Sequence, residues 1–143
     1  MPSDSKLLVR RFFDEVLSKG NPTAAAAIVS ADLVAHHPQF AEGIRGPDSL
    51  MTIVGTFRAA FPDLAYSVEE LVEEGDLVAA RWSATGTHRG PFLNHPATGR
   101  ACSVGGMDLF RVDAGRLAET WVNSDFLGLL QQIGAIPPLQ PPR

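Results

Sequence analysis

The strongest constraint on this chain is a change of hydrophobic period at Phe61-Pro62-Asp63. Apolar residues before it recur at helical spacing, and those after it alternate. Leu8, Phe12 and Val16 stand four apart, flanked by Leu7, Phe13 and Leu17, which predicts a helix over 5–19 with Ser3 or Asp4 as N-cap. Gly20-Asn21-Pro22 ends it and opens a second helix through 24–28. A short strand over 33–38 stops at Pro38, a loop is expected over 40–47, and a third helix over 47–60 carries Leu50, Ile53, Val54 and Phe57.

Past the switch, strands are predicted over 65–73, 77–88, 99–112 and 116–125, then a helix over 126–133 capped by Gly134. Gly105-Gly106 inside the third of these strands predicts a bulge or sharp bend. Helices followed by a strand meander give an α+β fold. Three N-terminal helices would lid a curved antiparallel sheet shaped as a cup. Residues 1–136 are read as one domain and 137–143, with four prolines, as an extended or disordered tail.

The net charge of -4 and scattered Lys and Arg give no surface for nucleic acid. A single cysteine, Cys102, excludes an intrachain disulfide. Met1-Pro2-Ser3-Asp4 is polar and no long apolar run occurs, so neither a secretory signal nor a membrane partner is expected and the protein is read as cytoplasmic. The four histidines lack a metal-ligand spacing, and phosphate-loop and nucleophile-elbow motifs are missing. No metal is expected.

The stretch Glu119 to Asp125 is unusual. On a strand, Glu119, Trp121, Asn123 and Asp125 share one face, which suits the wall of a pocket better than a plain core. The opposite face, with Thr120, Val122 and Ser124, reads as ordinary sheet. Asp125 has two readings: an N-cap of the last helix, or a carboxylate in an apolar cavity that desolvation tunes to exchange protons near neutral pH. An Asp125 that is exposed to solvent, or that merely caps the helix with no cavity beside it, would remove the enzyme reading. His88 at a strand end is either structural or a partner to a substrate oxygen. His36 and His37 face opposite ways, so at most one reaches a given pocket. Asp108, in mid-strand, needs a partner if buried, and Arg81 is available for an ion pair. Glu119 is read as a rim or cross-strand ion-pair residue.

Several runs together carry a resemblance: Gly86-Thr87-His88-Arg89-Gly90-Pro91-Phe92, Pro96-Ala97-Thr98-Gly99-Arg100, Gly106-Met107-Asp108-Leu109-Phe110-Arg111 and Glu119-Thr120-Trp121-Val122-Asn123-Ser124-Asp125. With Phe12-Phe13-Asp14-Glu15-Val16 and Gly128-Leu129-Leu130-Gln131-Gln132-Ile133-Gly134, the chain resembles the SnoaL-like polyketide cyclases, or ester cyclases, of the NTF2-like superfamily. The resemblance spans nearly everything but the tail. It implies a cone-shaped α+β fold around an apolar pocket, a homodimer, and an intramolecular aldol ring closure without cofactor.

By the same resemblance, Asp125 is the general acid/base and His88 assists it. Asp108 and one of His36 and His37 are substrate-binding, and Trp82, Trp121, Phe40, Met51, Phe57 and Phe61 form the wall for a hydrophobic, polycyclic substrate. The alternatives are a non-catalytic small-molecule-binding module, or an isomerase or epoxide hydrolase on the same scaffold. The last would need Arg81, Asp108 and Asp125 as its charged set; the only tyrosine, Tyr66, has no Asn nearby to hold water with it.

Overall fold

The computed structural model describes residues 2–141. Helix α1 (Asp4–Arg11) starts at Ser3, whose hydroxyl accepts from the Lys6 N–H at 3.1 Å. It runs on as a π-helical segment, Phe12–Leu17, closed by Ser18 N donating to the Phe13 carbonyl at 3.0 Å. Phe12, Phe13 and Val16 are all buried there. Phe13 is the hub of an aromatic core, with ring centroids 5.7 Å from Phe110, 5.8 Å from Tyr66 and 6.2 Å from Trp82. Helix α2 (Pro22–Ile28) is capped by Asn21, and α3 (Gly46–Ala60) crosses the sheet.

Six strands follow the order β2-β1-β6-β5-β4-β3. They are β1 (Val29–His37), β2 (Phe40–Arg45), β3 (Ala65–Glu74), β4 (Leu77–Thr87), β5 (Ala101–Asp113) and β6 (Arg116–Trp121). The β6–β5–β4–β3 meander is antiparallel, as is β2 on β1. The β1–β6 pair is parallel, which joins the N-terminal hairpin to the meander and makes the curved sheet mixed. Val78, Ala80, Trp82 and Ala84 of β4 all face the core, in the predicted alternation. Helix α4 (Phe126–Gln132) closes one end, with Gly134 at φ +81 just past it.

Three local expectations change. The strand expected over 116–125 ends at Trp121, with Ser124 making an isolated bridge to Gly106. Residues 40–45, expected as loop, form the edge strand β2. Gly43 at φ +73 and a register shift between Ala35 and His37 are absorbed because an edge strand has only one neighbour to match. Gly105-Gly106 carries no bulge against β4, where the ladder runs unbroken from Leu77↔Arg111 to Thr87↔Ala101. Gly106 serves close approach instead. A Cβ there would lie 2.5 Å from the Trp82 ring and 2.6 Å from the Asn123 carbonyl oxygen. Residues 137–141 have no regular secondary structure, and the last two of the predicted tail, 142 and 143, lie outside the described residues.

Candidate active site

The concave face of the sheet, α3 and α4 enclose an apolar cavity of about 130 Å³. Helix α3 contributes Leu50, Ile53, Val54 and Phe57 at helical spacing, and Phe61 follows. The strands contribute their inward positions: His37 and Ala35 of β1, Tyr66 of β3, Trp82 and Ala84 of β4, Val104 and Asp108 of β5, and Thr120 of β6. Helix α4 adds Phe126 and Leu129, and the segment joining it to β6 adds Val122 and Ser124.

Asp108 is the carboxylate of this cavity. It is 6% exposed and pairs across β4 with Ala80. Burial pushes its pKa up to about 6. The indole N–H of Trp82 and the backbone N–H of Asn123, which donates to Oδ1 at 3.2 Å, oppose that rise. Trp82 Nε1 has no hydrogen-bond partner of normal geometry among the described residues, so it acts on Asp108 by electrostatic proximity rather than through a formed bond.

Burial also holds the His37 imidazole below its ordinary value, favouring the neutral ring. That ring lies 4.7 Å from Phe40 and 6.3 Å from Phe57. The Tyr66 phenol is pushed up by burial first and the Asp108 charge second, with Arg58 opposing, and stays protonated. A carboxylate that titrates near neutrality, a neutral imidazole, a phenol and an indole N–H thus share one dry cavity, a set suited to moving a proton on an apolar carbonyl compound. Among the described residues no three His, Cys, Asp or Glu side chains cluster as a metal would require.

The model of the SnoaL-like polyketide cyclases matches residues 7–133. The chain belongs to that family. This SnoaL-like chain is 32% identical over 100 residues to the aklanonic acid methyl ester cyclase DnrD of Streptomyces peucetius, a match covering 69% of the chain and 66% of that cyclase. The counterpart DauD of Streptomyces sp. strain C5 is matched at the same identity over 60% of its length. The match thus spans just under two thirds of these relatives.

Among solved structures, TsrD of Streptomyces laurentii superposes with a TM-score of 0.83 at 29% identity, covering 95% of this chain and 99% of TsrD. A candidate polyketide cyclase of Acidithiobacillus ferrooxidans gives 0.86 at 30% identity, covering 94% and 97%. The relatives named cyclases make this SnoaL-like chain part of an enzyme family.

In the SnoaL-like chain His37, Trp82, Asp108, Phe57 and Phe61 line the cavity as expected. Asp125 does not. It is exposed and caps α4, its Oδ1 accepting from Gly128 N at 2.9 Å. Its chain neighbours Ser124 and Phe126 reach the cavity, but its own side chain turns onto the helix end, where the Gly128 N–H and the positive end of the helix dipole hold it. The enzyme reading therefore cannot rest on Asp125.

The polar face of the 119–125 stretch is the outer one. Thr120, Val122 and Ser124 face the cavity, while His36, Glu119 and Trp121 face outward, because β6 is in register with β1 as Ala35↔Thr120 and His36↔Trp121. His36 stacks on Trp121 with centroids 5.4 Å apart and contacts Glu119 at 2.7 Å. Glu119 is the cross-strand ion-pair residue it was expected to be.

His88 is fully buried behind Phe61, stacked at 5.4 Å, and does not line the cavity. Its Nδ1 accepts the Thr98 backbone N–H at 3.3 Å, which places the proton of the neutral ring on Nε2 and pins the 89–98 loop. Phe40 and Met51 pack against the core instead of the cavity, Met51 sitting off the Leu50–Val54 stripe of α3. Arg81 points outward and pairs with Glu70 at 2.7 Å, so the charged set of an epoxide hydrolase is not assembled and Asp108 has no arginine partner.

Tyr66 is the residue that sequence reasoning passed over. Its signal was phase: Tyr66 alternates with exposed Ala65 and Ser67, and across the turn it stands opposite Ala84, two residues from Trp82.

Proposed function

We propose that the protein is a cofactor-free, cyclase-like enzyme that moves a proton on a hydrophobic dicarbonyl substrate, with intramolecular aldol ring closure as its reaction. The observation carrying this reading is the buried carboxylate of Asp108, with no salt-bridge partner among the described residues, in an apolar cavity and with a pKa of about 6. Asp108, ionised at neutral pH, takes a proton from the carbon between two carbonyls. The enolate carbon attacks a further ketone carbonyl elsewhere in the same substrate, a C–C bond forms as that C=O π pair moves onto its oxygen, and the Asp108 acid returns the proton to the new alkoxide. Product and substrate have the same composition. A carbon between two carbonyls is already acidic, so positioning and one tuned carboxylate suffice. His37 hydrogen-bonds a carbonyl oxygen, and Trp82, Phe57 and Phe61 hold the rings.

The test is incubation with aromatic ketones bearing a neighbouring β-keto ester side chain, followed by mass and retention. The wild type is expected to convert them to cyclic isomers of unchanged mass and Asp108→Asn to leave them open. Equal conversion by both would remove the role given to Asp108.

A homodimer is part of the same proposal. His36, Trp121, Leu109, Ala79 and Val72 form one row across the outer face, in register over five strands. Val72 is 63% exposed and the neighbouring Met107 59%. A second copy covering that row is the occupant that suits it. Val72→Lys with Met107→Lys should give a monomer by sedimentation, and a wild type that is itself monomeric would refute it.

A further inference from the structure

Trp82 Nε1 is a buried donor with no hydrogen-bond partner among the described residues. It lies close enough to the Asp108 carboxyl to oppose the rise in its pKa yet makes no bond of normal geometry with it, so the donor is left open to a ligand oxygen, an unpaired buried donor being costly. The indole cannot easily turn away to find another acceptor. It is wedged between Phe13, with centroids 6.2 Å apart, and Tyr66, at 5.1 Å, and its edge fills the space left by Gly106. Tyr66, Trp82 and Asp108 all line the one cavity. The Tyr66 phenol keeps its proton beside the Asp108 charge, so it too is a neutral donor. A neutral donor pair can bind an oxygen as it gains negative charge without holding the neighbouring carboxylate ionised as a cation would.

We propose that the indole N–H of Trp82 and the hydroxyl of Tyr66 together bind one ligand oxygen, the one that becomes an enolate oxygen when Asp108 removes a proton, so that the site selects flat apolar compounds carrying an enolisable carbonyl or a phenolic oxygen. The identity of that oxygen rests on the proton-transfer reading above; the donor pair rests on the packing of Trp82 and Tyr66.

Binding without turnover separates the two. The probes are 2-naphthol and 2-methylnaphthalene, alike in shape and differing in the oxygen, titrated by fluorescence. The wild type is expected to bind 2-naphthol at least tenfold more tightly. Tyr66→Phe and Trp82→Phe should each cut that preference about tenfold or abolish it, with 2-methylnaphthalene affinity unchanged as a check that the cavity is intact. If Trp82→Phe loses both ligands, Tyr66→Phe, which removes one oxygen, decides. Asp108→Asn should keep the preference. No preference in the wild type, no binding of either probe, or a preference surviving Tyr66→Phe overturns the donor pair and leaves the role of Asp108 standing. Turnover by Asp108→Asn with the preference intact overturns the proton-transfer reading and leaves the donor pair.

Discussion

The inner and outer faces of the sheet each carry a carboxylate, a histidine and a tryptophan: Asp108, His37 and Trp82 inside, Glu119, His36 and Trp121 outside. Outside, the three form a paired cluster at the surface of the sheet. Glu119 has a side chain 25% exposed and contacts His36 at 2.7 Å and Arg111 at 3.3 Å. Hydrogen bonding from His36 first, and then the Arg111 guanidinium, holds its carboxyl below the usual range. Inside, the corresponding residues line an apolar cavity, and among the described residues Asp108 has no salt bridge, its oxygen accepting only from the Asn123 backbone N–H at 3.2 Å. Asp108 is pushed toward its neutral acid and His37 toward its neutral base. Protonation here follows environment: an ion-paired carboxylate is held below its usual pKa, and one buried among apolar side chains is held above it.

Breaking one carboxylate at a time should separate the faces most clearly. Asp108→Asn is expected to lower kcat for ring closure by about 10²- to 10⁴-fold, while Glu119→Gln stays within about twofold. Steady-state kinetics on the same substrate decides it, and a larger loss from Glu119→Gln would reverse the assignment of the faces. The wild-type rate should also fall as pH drops through about 6, where Asp108 takes up its proton. A profile flat from pH 7 to 5 would count against it.

Stability should move the opposite way. The Asp108 pKa is raised on folding from 3.8 to about 6, so between these values the native state binds more protons than the unfolded state and stability falls as pH rises. Keeping the charged form buried above pH 6 costs about 3 kcal/mol. Asp108→Asn should recover about that much at pH 7.5 and nothing at pH 3.5, by urea unfolding. Glu119, whose pKa is depressed, contributes stability that is present above the unfolded pKa and lost as pH falls through the folded one. Glu119→Gln should therefore destabilise at neutral pH.

Adjacent glycines sharpen the same contrast. Gly106→Ala puts a Cβ into the Trp82 ring and should cost about 1–3 kcal/mol. Gly105→Ala, whose nearest neighbour is the Trp82 carbonyl oxygen at an ordinary 3.7 Å, should stay within about 0.5 kcal/mol. Thermal unfolding distinguishes them. The smallest expected effect is on the histidines: His37→Gln should raise KM about tenfold or less, and His36→Gln should leave it unchanged.

Much of this was legible in the chain. The helices, the long strands and their turns follow from period and from glycine and proline placement, because those signals act within a few residues. The alternation of β4 was legible for the same reason, while the place of Trp82 in the pocket wall came from the family resemblance. The edge strand β2 was not, since Glu42 and Gly43 look like loop residues until a partner strand supplies the hydrogen bonds of the segment.

The face of the 119–125 stretch shows where local reasoning stops. Its alternation was plain: Glu119, Trp121 and Asn123 against Thr120, Val122 and Ser124. Which set turns inward was settled by the register of β6 on β1, a pairing between segments more than eighty residues apart. Asp125 likewise carried two local readings, and the end of α4 claimed it. Asp108 became the cavity carboxylate because curvature of the sheet, Gly106 and α3 removed water around it. Alternation and helix signals are short-range and can be read from the chain, whereas sidedness and desolvation are sums over distant neighbours and exist once the sheet has closed over its core.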